Sequence, residues 1–229
     1  MNSSLLILGV LLVFLAGLNL RSMGNALIFS VSVMGRHADM RRMLLNSIVF
    51  WLGTSLVVGP VLYVGWELSS AFVGLNGFEL RLASYVFSTI LLAWGLFNLY
   101  VYKVGPRRDS EGKLRRKIVK FSRVVGEVEK DFIFGIFNGV SILVSELGLL
   151  FGGIWLMQKG GGFGFFELGV VVLSATILIW VIFLFLMYGY NLSDLEKFRK
   201  RHGSKVSFLC GLLGILGSWV ILANSMGLI

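Results

Sequence analysis

The sequence is poor in the residues that carry most protein chemistry. Among 229 residues there are one cysteine, two histidines and two prolines, and charged residues make up only 14%. The single thiol, Cys210, excludes an internal disulfide; it falls in an apolar run and reads as a small buried hydrophobe. His37 and His202 lie in basic segments far from any cysteine pair, so metal-ligand spacing is absent and solvated loop positions are expected. The stretch GGGFG at 160–164 matches a phosphate loop in composition alone; without G-x-x-x-x-G-K-[ST] or a preceding strand it reads as a flexible turn. No haem C-x-x-C-H motif and no catalytic triad is present, so neither an enzyme nor a cofactor is expected.

What is abundant is apolar sequence. Hydrophobic residues make up 56% of the chain and the mean hydropathy is +0.85. Six runs, at approximately 4–34, 43–66, 82–102, 132–157, 168–190 and 206–228, are long enough to cross a hydrocarbon core about 30 Å thick. Helices satisfy every backbone polar group without water, so the expected fold class is an all-α membrane protein of six transmembrane helices in a single membrane domain, 1–229. The first run is too long and interrupted for a signal peptide, and is expected to stay as a helix. Pro60, inside the second run, is expected to kink it.

The net charge of +9 follows the same plan. Of 21 Lys and Arg, 18 fall in 35–42, 103–130 and 191–206, and only Arg81 and Lys159 fall in the alternate connections. This is a positive-inside pattern; it predicts a cell-membrane protein with those three loops cytoplasmic and both termini outside. It accounts for the basic charge without nucleic acid, for which no groove-reading or aromatic motif is present. Asp131 and Glu167 lie at run ends, where charge is cheap.

Runs one to three begin near 4, 43 and 82, and runs four to six near 132, 168 and 206, an offset of roughly 124–128 throughout. Three spans per half is odd, so the second half enters from the opposite side. The expectation is an inverted repeat of about 4–102 and 131–229, joined by a linker at 103–130. Such repeats place transport sites near the midplane, between the halves.

Ionisable residues deep in the runs point to the same place. GLNLRSMGN (17–25) puts Arg21 among Asn19, Ser22 and Asn25 inside the first run. FGIFNGVSILVSELGLLFGG (134–153) carries Asn138, Ser141 and Ser145 at i, i+3, i+7, with Glu146 adjacent. Under the repeat offset Arg21 falls opposite Ser145, and Ser22 opposite Glu146. An intramembrane charge costs about 2.5–3.5 kcal/mol on insertion scales, so each should face the bundle interior and find a partner. Arg21 with Glu146 is the obvious pair, as a register-fixing ion pair, a site for a small solute or ion, or both. Gly17, Gly24, Gly135, Gly139 and Gly148 permit close helix approach or local unwinding, and Gly211, Gly214 and Gly217 form a smooth strip on the last run.

At this level the chain resembles a known family. FLAGLNLRSMGNALIFSVSV (14–33) looks like the first helix of the CcdA/DsbD transmembrane family, which reads F-L-x-G and then a Ser-Pro-Cys-x-x-Pro break. The fourth run, with Gly135, Gly139 and a polar break, is similar to that family's second such helix. The resemblance implies a six-helix, three-plus-three inverted architecture, shared with LysE-type exporters. It covers most of the chain in outline and about 20 residues per half in detail. The family's reactive cysteines would fall near Asn25 and Ser145; neither is cysteine, and the flanking prolines are missing. Cycling between two thiols needs both, so the electron-carrier activity is not expected to persist. A solute or ion transporter, a cysteine-less relative of thiol carriers, and a non-transporting membrane subunit all remain open.

In KLRRKIVKFSRVVGEVEK (113–130), Leu114, Ile118, Phe121, Val125 and Val128 recur at helical spacing among basic residues. This predicts a basic amphipathic linker helix lying on anionic lipid head groups, or docking a protein partner.

Overall fold

The computed structural model describes residues 3–18, 40–73, 77–104, 127–161, 165–177, 180–182, 184, 188 and 192–228; no strand occurs among them. Six helices occur among the described residues: α1 Ser3–Gly17, α2 Met40–Val73, α3 Phe78–Val104, α4 Glu127–Gly161, α5 Phe165–Thr176 and α6 Leu192–Ser225. Four are long and apolar enough to cross a membrane: α2 over Arg41–Phe72, α3 over Phe78–Val104, α4 over Glu129–Gly161 and α6 over Ser204–Ser225. α1 is apolar but shorter.

The helices outrun the apolar segments that announce them. The second run, expected at 43–66, sits in a helix spanning Met40–Val73, and the fourth, expected at 132–157, in one spanning Glu127–Gly161. Two readings are corrected. The segment 191–206, expected as a loop, is helical from Leu192 and continuous with the last span. Its Leu, Glu, Lys and Arg are good helix formers and no proline interrupts it. Asp131, expected at a cheap span end, lies inside α4 and is fully buried. Of the linker helix expected over 113–130, only 127–130 is described, and it forms the start of α4.

α4 is the centre of the bundle. In its apolar window 67% of residues are buried, against 33%, 33% and 39% for α2, α3 and α6. It crosses α2 at small residues: Gly53 faces Gly135, and a Cβ at Gly135 would fall on the Phe50 carbonyl oxygen. Thr54 Oγ1 uses that closeness to donate to the Gly135 carbonyl at 3.1 Å. On α1, Gly9 meets Gly153 in the same way. Small residues at crossings let backbones pack by van der Waals contact where lipid removes most of the hydrophobic drive.

Contact register gives helix direction. Phe50 meets Gly135, Val57 meets Gly139 and Gly65 meets Phe151, so α2 and α4 run parallel. Ser88 bonds Ser218, Gly95 meets Gly211 and the Tyr102 ring lies tilted against Phe208, so α3 and α6 run antiparallel. Leu91 meets Gly152, and Asn98 bonds Glu146, so α3 also opposes α4. Hence α2, α4 and α6 start where α3 ends. That end collects Arg41, Arg42, Lys103, Lys130, Lys197, Arg201 and Lys205. At the opposite end Lys159 lies over the buried Trp155 ring, 5.8 Å from its centroid, and Trp155 stacks on Phe87.

Candidate functional site

The interior break of α4 falls at Glu146, with φ −131° and ψ 15°. Glu146 lies nineteen residues from the start of α4 and fifteen from its end, or about 28 and 22 Å at 1.5 Å per residue. The carboxylate is therefore deep in the span, and it is 4% exposed. Pro60 lies inside α2, which runs through it as one element.

Neighbouring side chains meet the polar groups gathered at the break. Asn98 Nδ2 donates to Glu146 Oε2 at 3.2 Å and to the Trp94 carbonyl, also at 3.2 Å. Trp94 Nε1 donates to the Ser145 carbonyl at 2.6 Å. A helix that departs from regular dihedrals loosens its i→i−4 ladder, and a donor from a neighbouring helix compensates in a medium without water. Ser145 Oγ turns back on its own helix, donating to the Ser141 carbonyl at 2.7 Å. Cys210, buried on α6, has its thiol 3.6 Å from the Leu15 carbonyl of α1. α1, α3 and α6 all pack against α4.

The polar seam read from the sequence splits between two partners. Ser145 and Glu146 meet α3 through Trp94 and Asn98. Asn138, eight residues earlier, meets α2, where its Nδ2 lies 3.5 Å from Thr54 Oγ1. Ser141, half-buried, lies between them on the helix. Arg21, Asn19, Ser22 and Asn25 lie outside the described residues, so the Arg21–Glu146 pair stays an expectation.

Sequence reading missed Asn98, Trp94 and Thr54, and placed Asp131 at an exposed span end. Asn98 had a readable signal: it is an amide in an otherwise apolar run, one helical turn after Trp94, and such a group must find a partner inside the bundle. Asn46 is a further buried amide, whose Nδ2 has no hydrogen-bond partner among the described residues. The parallel register of α2 and α4 brings it level with the buried Asp131. The expected strip on the last helix is a packing surface: Gly211 and Gly214 lie on Gly95, and Gly217 lies on Leu91 and Leu12.

No family model, no curated protein and no solved structure matches this chain.

Proposed function

We propose that the chain is a membrane transporter built as two inverted three-helix repeats, moving a small solute or ion past Glu146 between the halves. The observation that carries this reading is a buried carboxylate at a break in the central helix, deep in the span. Interrupted helices at the midplane are where transporters of this kind hold substrate, and intramembrane carboxylates mark ion and solute paths.

The helix neighbours support the repeat. Pairing α1 with α4, α2 with α5 and α3 with α6 makes each pair of equivalents adjacent. The α2–α4 contact then has a counterpart in α1–α5, and α3–α4 in α1–α6; all four are in contact. Around a two-fold axis, residues touch their own equivalents. Trp51 Nε1 donates to Thr176 Oγ1 across 125 residues and Ser88 bonds Ser218 across 130, close to the sequence offset. Two such halves, six spans and basic loops on the cytoplasmic side make an architecture of the CcdA/LysE type, used here without the redox cysteines. In this arrangement Arg21 enters from the other half as the ionic partner of Glu146.

The test is a double-mutant cycle joined to a flux measurement. Arg21→Met or Glu146→Leu alone leaves a buried uncompensated charge, expected to cost roughly 3–5 kcal/mol; the double variant is expected to cost less than the two added. Swelling of proteoliposomes in a panel of small neutral, cationic and anionic solutes reads transport. The proposal expects swelling in at least one solute, lost in the double variant even where stability returns. Additive stabilities would sink the pair. Flux recovered along with stability would make the pair structural, and no flux in any solute would overturn transport.

A further inference from the structure

The α6 helix is 34 residues long, about 51 Å at 1.5 Å per residue, while its apolar span begins only at Ser204. Its first turns therefore stand beyond the hydrocarbon, at the basic end of the bundle. One exposed stripe runs through Arg201, Lys205, Phe208, Leu212 and Leu216, spaced by three or four residues so that all share a helix face. The stripe changes character along its length: two cations, then an aromatic ring, then aliphatic side chains. Lys205 to Leu216 spans about 16 Å, close to the roughly 15 Å thickness of one leaflet.

The neighbouring helix completes the feature. Tyr102 of α3 and Phe208 of α6 have ring centroids 5.2 Å apart, at the level where aromatic residues border the head-group region. The antiparallel register through Ser88–Ser218, Gly95–Gly211 and Tyr102–Phe208 brings Lys103 level with Lys205. Lys103 is exposed, as are Tyr102 and Lys205. Lys103 and Lys205, from two helices, thus stand at one height, with Arg201 one turn further out, about 6 Å, above a seam whose lower part is apolar.

We propose that this seam binds an acidic phospholipid of the surrounding leaflet, its phosphate held by Lys103, Arg201 and Lys205 and one acyl chain lying along Phe208, Leu212 and Leu216. The charge selects an anion. The aromatic and aliphatic continuation, one leaflet deep, selects a lipid over a soluble phosphate. The site is independent of Glu146 and of whether the protein transports.

Native mass spectrometry of the purified full chain tests this, with phosphatidylglycerol and phosphatidylcholine offered together. The expected result is retained phosphatidylglycerol in preference to phosphatidylcholine. A cation at head-group level is worth about fivefold in affinity, so K103Q/R201Q/K205Q should reduce the preference at least tenfold, and K103R/R201K/K205R should keep it. Raising salt on the unmodified protein should weaken the preference as exposed charges are screened, which reads the same interaction without any variant. Equal retention of the two lipids, or an undiminished preference in the glutamine variant, would overturn the proposal. Displacement of the lipid by equimolar glycerol phosphate would show a free-phosphate site instead, and displacement by polyglutamate an acidic-protein surface; either result overturns it.

Discussion

Replacing Gly135 by alanine should separate the two helices that form the tightest crossing in the bundle. The added methyl falls on the carbonyl oxygen of Phe50, with the Gly53 Cα at 3.0 Å. Both obstacles are backbone atoms, so no side chain can rotate aside. α2 and α4 must part until these contacts are relieved, and the 3.1 Å bond from Thr54 Oγ1 to the Gly135 carbonyl is lost. Overpacking of this kind costs about 1–3 kcal/mol, and an interhelical hydrogen bond in a membrane protein is worth about 0.6 kcal/mol. The expected loss is therefore about 2–3 kcal/mol. Gly59→Ala on α2 is the matched control: nothing lies within 4 Å of its added methyl, and alanine is the better helix former by about 0.5–1 kcal/mol. Unfolding in mixed micelles by increasing dodecyl sulfate, followed by tryptophan fluorescence, measures both. If Gly135→Ala unfolds within about 0.5 kcal/mol of Gly59→Ala, α2 and α4 do not pack in this register.

Asn98→Leu removes the amide that donates to Glu146 and should destabilise the protein by about 1–3 kcal/mol in the same unfolding assay; an unchanged midpoint would mean that the amide does not support the carboxylate. Cys210→Ala should leave flux intact, because a lone thiol cannot cycle through an internal disulfide; a mixed disulfide trapped between Cys210 and a thioredoxin-like protein, with flux lost in the variant, would reverse that reading. Single cysteines placed in 103–130 on the Cys210→Ala background should resist an impermeant maleimide in intact cells and react after lysis, as the 18-to-2 division of basic residues requires. Strong labelling from outside would invert the topology.

Hydropathy made the long helices legible because a span must be apolar over about 20 residues. It did not show where they stop. α2 continues past 66 through Glu67, Ser69 and Ser70, and α3 past 102 through Lys103, residues that a helix accepts and a hydropathy average discounts. The same blindness turned 191–206 into a loop, since charge marks the exit from the membrane and not the end of a helix. Glu146 was legible for the opposite reason: a carboxylate amid apolar sequence has few places to go. Its partner Asn98 was harder to read, because an amide carries no formal charge and the pairing crosses 48 residues. Asp131 shows the limit of reading burial from distance to a span end. Four residues of α4 precede it, and it is fully buried.

The placement of the break follows from which neighbours can supply donors. Proline removes one amide hydrogen and crowds the preceding turn, yet Pro60 lies on an exposed part of α2 and the helix continues through it. At Glu146 the break faces α3, which supplies the Trp94 indole to the Ser145 carbonyl and the Asn98 amide to the carboxylate. α2 runs along α4 on both sides of the break, and α3 and α1 join it after the break. Before the break, Gly135 and Gly139 are held against Phe50, Thr54 and Val57 of α2; after it, Gly148, Gly152 and Gly153 are held against Trp94 and Leu91 of α3 and Gly9 and Val13 of α1. Glu146 thus stands where the contacts of α3 and α1 with α4 begin, its carboxylate bonded to α3 through Asn98.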